Sequence, residues 1–140
     1  PFREKKTSKP VLSLALLDAC IYDAITVLLK LGGYILLFAI LSNAITYIPY
    51  LSLQKASFLI SALEITNGIP AISDAFPYPE SYLLLLPFLA FGGFCSIMQT
   101  GSVIKDTPLS LRNYFFTKIL LTFLILLTEM LLLHAVPGLF

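Results

Sequence analysis

The sequence predicts an all-α membrane protein: one interfacial helix, three transmembrane helices of which one is broken, and one re-entrant hairpin. Three observations carry that expectation. Of 140 residues 58% are hydrophobic and only 12% charged, and the mean hydropathy is +0.91, a balance that no soluble domain of this length could hide in one core. Three apolar runs match the roughly 20 residues, at about 1.5 Å each, that cover the hydrocarbon of a bilayer. Two polar segments broken by glycine, 63–70 and 91–101, interrupt this apolar sequence. In hydrocarbon such breaks survive only where protein or a water-filled cavity satisfies the freed backbone groups.

Taken in order, residues 1–10 are polar and carry Arg3, Lys5, Lys6 and Lys9, a basic linker expected on the cytoplasmic side. Residues 11–27 read as an interfacial helix, with Asp18, Tyr22, Asp23 and Thr26 on one arc. A first span follows over 28–48, with Gly32-Gly33 bending its start and Pro49 ending it. The stretch 51–79 is a re-entrant hairpin, because Leu51 to Thr66 is short for a span and Asn67-Gly68, Pro70 and the turn-rich residues 73–79 follow it. A second span, 80–104, carries Pro87 and Gly92-Gly93 near its middle, where a kink or unwound turn is expected. The third span, 112–135, has no Gly or Pro inside it and stops before Pro137-Gly138.

Charge placement sets an orientation. With the N-terminus inside and the C-terminus outside, eight of the nine Lys and Arg residues flank cytoplasmic ends, and only Lys55 shares the outer side with Asp74 and Glu80. The net charge of +1 offers no basic surface for nucleic acid. Cys20 and Cys95 lack metal or redox spacing and read as packed thiols. No nucleophile, metal or phosphate motif is present, so an enzyme is not expected. The chain begins at Pro1 without a cleavage pattern and reads as a piece of a longer polypeptide.

The chemistry falls on two polar stripes. Gln54, Ser57, Ser61 and Glu64 lie within about an 80° arc of one helix face and form a pathway leading to a break. The serines alternatively back-bond to carbonyls and let helices approach. Glu64 is the exception, since an ionisable group at membrane depth is costly and faces a cavity or a partner. Thr66, Asn67 and Gly68 are expected to end a half-helix, where free carbonyls and short polar side chains hold a cation or polar solute, or form a plain left-handed cap. The second stripe comprises Gly92, Gly93, Ser96, Gln99 and Thr100, with glycines for close backbone approach and neutral donors and acceptors beside them. In the last span Lys118 is expected to snorkel to the inner interface, Glu129 to be interfacial, and His134 to cap the C-terminus. Broken helices of this kind hold solutes near the midplane of secondary transporters.

The order of these elements, with L-E-I-T-N-G-I-P at the hairpin and F-G-G-F-C-S-I-M-Q-T-G-S-V in the broken span, resembles the nucleoside-recognition or gate domain. That domain forms each inverted repeat of concentrative nucleoside transporters. A closer likeness, over about residues 11–140, is to the C-terminal half of the YlbJ-like family of sporulation integral membrane proteins, which share an E-x-T-x-G tip and an F-G-G break followed by Gln. The resemblance implies half of a secondary transporter for a small polar solute. Glu64, Thr66 and Asn67 of the tip would face Gly93, Ser96, Gln99 and Thr100 of the broken span. It implies no cofactor beyond a coupling Na+ or H+, and a bacterial cytoplasmic membrane as the location. The partner would be an inverted-topology second half, in the same polypeptide or another subunit. The YlbJ-like branch implies an organic anion such as dipicolinate, and the nucleoside branch implies nucleosides. The tip departs from the nucleoside branch in its Glu64-Ile65-Thr66-Asn67 order, and neither motif contains Arg or Lys, which leaves helix N-termini and backbone N–H groups as anion donors. The alternative is a non-transporting membrane assembly factor, or one of spore or envelope maturation, that uses the same fold.

Overall fold

The computed structural model describes residues 13–105 and 107–135, and every regular element among them is an α-helix. The linker expected over 1–10 and the stop at Pro137-Gly138 lie outside the described residues. Six helices follow in order among the described residues: α1 (Leu14–Thr46), α2 (Leu53–Leu63), α3 (Ile65–Ala75), α4 (Glu80–Phe91), α5 (Gly93–Ile104) and α6 (Leu111–Ala135). Among the described residues three stretches are long and apolar enough to cross a bilayer: α1, the 25 residues Glu80–Ile104 formed by α4 and α5, and α6. The chain is on that ground an integral membrane protein.

The first correction concerns α1. The separate interfacial helix and span expected over 11–27 and 28–48 are, from Leu14 onward, one continuous helix of 33 residues, about 50 Å long. Ser13 starts it by accepting the Leu16 N–H at 3.2 Å. Gly32-Gly33 does not interrupt it. Glycine weakens a helix through backbone entropy but removes no hydrogen bond, and the surrounding Leu and Ile residues sustain the helix. A Cβ at either glycine would meet nothing within 4 Å. Gly32→Ala and Gly33→Ala are therefore expected to stabilise the protein by about 0.5 to 1 kcal/mol each, read from thermal unfolding in lipid.

The second correction moves the break in the hairpin. The helix does not end at Thr66, Asn67 and Gly68; it ends at Leu63, and those three residues open α3, which also contains Pro70. The single residue between the helices is Glu64, in extended conformation (φ −151°, ψ 116°). Its own carboxylate makes the break tolerable by capping the helix that follows. α2 and α3, 11 residues each, then fold back on one another. Phe58 in the middle of α2 meets Phe76 just beyond α3, ring centroids 5.6 Å apart and edge-on. At the tip Gly68 lies so close to α2 that a Cβ there would come within 2.5 Å of the Ser61 Cα.

α2 is the hub of the molecule, packed against α1, α3, α4 and α5. α6 lies at the edge against α4 and α5 and has no fully buried residue. The core is small: Phe38, Ala56, Ile60, Ile72, Ala90, Cys95 and Ile97. Large apolar side chains such as Leu29, Ile40, Phe123 and Met130 cover the outside, as suits a surface solvated by hydrocarbon. One end of the bundle gathers Thr46, Leu53 and Asp74, and the other brings Leu31 of α1 to Ile104 of α5.

Candidate functional site

The breaks meet. Gly93, at φ +75°, sits so close to the hairpin that a Cβ there would lie 2.9 Å from the Leu63 carbonyl oxygen and 3.2 Å from the Glu64 nitrogen. α4 has 12 residues, so this junction is about 18 Å from the Glu80 end of a span about 37 Å long. The 11 residues of α2 descend about 16 Å from the same end. Hairpin tip and broken span therefore come together halfway along the bundle.

The ends of the helices explain why these residues are there. Glu64 is 6% exposed, and its carboxylate accepts the backbone N–H groups of Thr66 (2.9 Å) and Asn67 (2.8 Å) as well as the Thr66 hydroxyl. Those N–H groups lack partners within α3, and the negative charge sits at the positive end of the helix dipole. In the broken span Gly92 adopts φ +78°, and its N–H closes α4 on the Phe88 carbonyl at 2.7 Å. The α5 N-terminus has no side-chain cap.

The sequence-derived site residues do not share one pocket. Thr66 and Asn67 are exposed, and Gln54 is exposed on the outer turn of α2. Ser57 and Ser61 are buried, donating to the Gln54 carbonyl (2.8 Å) and the Ser57 carbonyl (2.7 Å), so they serve close packing and back-bonding rather than an open pathway. Gly68 is buried beside Ser61. On α5, Ser96 donates to the Gly93 carbonyl (2.9 Å), Thr100 to the Ser96 carbonyl (2.8 Å), and Gln99 Nε2 to the buried Cys95 Sγ (3.2 Å). Asn67 and Ser57 line a cleft of about 600 Å³ between α1 and the hairpin, whereas Gln99 and Thr100 line a shallower one of about 290 Å³ with Leu31, Val103 and Ile104. Tip and break touch through backbone, and their polar side chains diverge to either side.

Three groups have surroundings that the sequence does not show. Ser42, Asn43 and Thr46 of α1 and Asp74 of α3 complete the larger cleft, and the Ser42 Oγ is buried without a hydrogen-bond partner among the described residues. A polar cluster at the end of a span was the available signal. Lys118 is the second: its ammonium does not snorkel outward but donates to the Ala90 carbonyl in the last turn of α4 at 3.2 Å. It lies 5.7 Å from the Tyr114 ring centroid, and Tyr114 itself faces Ser96 and Thr100. Glu129 is the third, half-buried, with one carboxylate oxygen enclosed and unpaired among the described residues rather than wet at the interface. No three His, Cys, Asp or Glu side chains among the described residues stand together as a metal site.

Comparison with known proteins returns no match to this chain, neither to a family model, nor to a curated protein, nor to a solved structure.

Proposed function

We propose that this chain is one repeat of a secondary transporter for a small polar solute, with α2 and α3 forming a hairpin that enters the membrane and returns on the same side. The observation that carries the reading is the meeting of two helix breaks halfway along the bundle, Gly93 against Leu63 and Glu64. Interrupted backbone at membrane depth is expensive, and transporters use it to present helix ends to a solute. The resemblance to gate domains supports the same reading. The charges support an orientation with the N-terminus inside, since Lys105 and Arg112 lie at the Leu31–Ile104 end and Asp74 and Glu80 at the other.

The larger cleft favours a neutral or cationic solute over the dicarboxylate that the YlbJ-like resemblance implies. Its polar lining consists of hydroxyl and amide side chains and one carboxylate, Asp74, with no basic side chain. An inverted second half would cover this cleft, which opens between α1 and the hairpin.

A solute screen on the full-length protein in lipid tests the proposal. A transported solute should raise stability by about 2.7 kcal/mol at one hundred times its Kd. Asn67→Leu should weaken that binding by roughly 1 to 3 kcal/mol through an unmatched polar group. Absence of any solute-dependent stabilisation or uptake would favour a non-transporting assembly role for the fold.

A further inference from the structure

We propose that the ammonium of Lys118 is a tethered cation occupying, at the C-terminal end of α4, the place of an exchangeable coupling cation, so that the broken span holds its shape without Na+. In what it says about the coupling ion, the inference rests on the transporter reading.

Four helix ends converge at the breaks, and each carries about half an elementary charge from its unpaired backbone groups. Two are negative, the C-termini of α2 and α4, and two are positive, the N-termini of α3 and α5. The positive end of α3 is neutralised by the Glu64 carboxylate through the Thr66 and Asn67 N–H groups. The negative end of α4 is met by Lys118, whose Nζ donates to the Ala90 carbonyl at 3.2 Å and would stand 3.4 Å from a Cβ on Gly92. The remaining two ends face each other, since Gly93 at the head of α5 abuts the Leu63 carbonyl at the tail of α2. Each end thus has a partner of opposite sign supplied by the chain. Carbonyls freed at a broken helix are the groups with which transporters coordinate a mobile cation, and here the chain provides that cation from the neighbouring span.

Lys118 is placed to stay. It lies seven residues into α6, about 10 Å from the start of the helix, on the face packed against the break, with the Tyr114 ring alongside. A charged amine at that depth is held by partners rather than by water.

The test is thermal unfolding of the full-length protein in lipid nanodiscs, in sodium chloride and in choline chloride at equal concentration. The wild type should melt at the same temperature in both salts; a rise specific to sodium would overturn the proposal without any variant. Lys118→Ala should melt several degrees lower and recover with ethylammonium but not with ethanol. Recovery by both compounds, or no loss on substitution, would mean that Lys118 only fills space. Should the alanine variant fail to insert, Lys118→Arg keeps the charge and is expected to remain indifferent to sodium; a sodium response in that variant would refute the assignment. Solute uptake, measured separately, decides the transporter reading, and a stable sodium-indifferent protein that moves no solute would overturn that reading alone.

Discussion

Gly93→Ala should detach the hairpin tip from the broken span. Two costs coincide at this position. The backbone is left-handed at φ +75°, where a Cβ costs about 1 to 2 kcal/mol in any environment. The new methyl would also press to 2.9 Å on the Leu63 carbonyl oxygen, a backbone atom that no rotamer change can move. Overpacking of this kind typically costs about 1 to 3 kcal/mol, so the sum is roughly 2 to 5 kcal/mol. Thermal unfolding in lipid should show that loss, whereas Gly33→Ala, at an open helical position, should show none.

Glu64→Ala should be nearly as damaging for a different reason. Its carboxylate is the partner of two N–H groups at the head of α3, and methyl replaces both acceptors at a buried site. Loss of an N-cap costs about 0.5 to 2 kcal/mol, rising to about 3 where a freed N–H stays out of water, so a total of about 1 to 3 kcal/mol is expected. Glu64→Gln retains one acceptor oxygen and the shape while removing the charge, and should lose less than half as much. Under the transporter reading Glu64→Gln inserts and folds but transports poorly. A Glu64→Gln protein as unstable as Glu64→Ala would show that the charge, not the acceptor, holds the tip.

The sequence displays these two positions unequally. Gly92-Gly93 inside an apolar run is a direct signal, because glycine takes the left-handed turn that closes α4 without the steric cost of a Cβ. Glu64 is visible as an acid at depth, but the helix beside it is expected to end at Thr66 to Gly68, where the structure begins one. Asn67-Gly68 and Pro70 look like the end of a helix, whereas a carboxylate followed by two free N–H groups starts one. Pro70 is tolerated in α3 because its missing N–H leaves only the Thr66 carbonyl without its helical donor, and Thr66 lies at the exposed tip. The length of α1 is hidden in the sequence because polar residues on one arc of its first half suggest a separate surface helix, and Gly32-Gly33 suggests a bend. Propensity at two residues does not outweigh an unbroken hydrogen-bond ladder. The larger cleft and the contact of Lys118 with Ala90 are not legible in the sequence for a common reason. Both depend on which helix packs against which, and periodicity along one helix carries no information about its neighbour.

A transport repeat of this kind requires α2 and α3 to enter the membrane and leave it on one side. Single cysteines at Lys55 and Asp74, in a background with Cys20 and Cys95 replaced by serine, test this with a membrane-impermeant maleimide. Both should be modified from the side that also labels a cysteine at Glu80, and a cysteine at Arg112 should be modified only from the other. Labelling of positions 55 and 74 from opposite sides would mean that the hairpin crosses the bilayer, and the meeting of the two breaks halfway through the membrane would be contradicted.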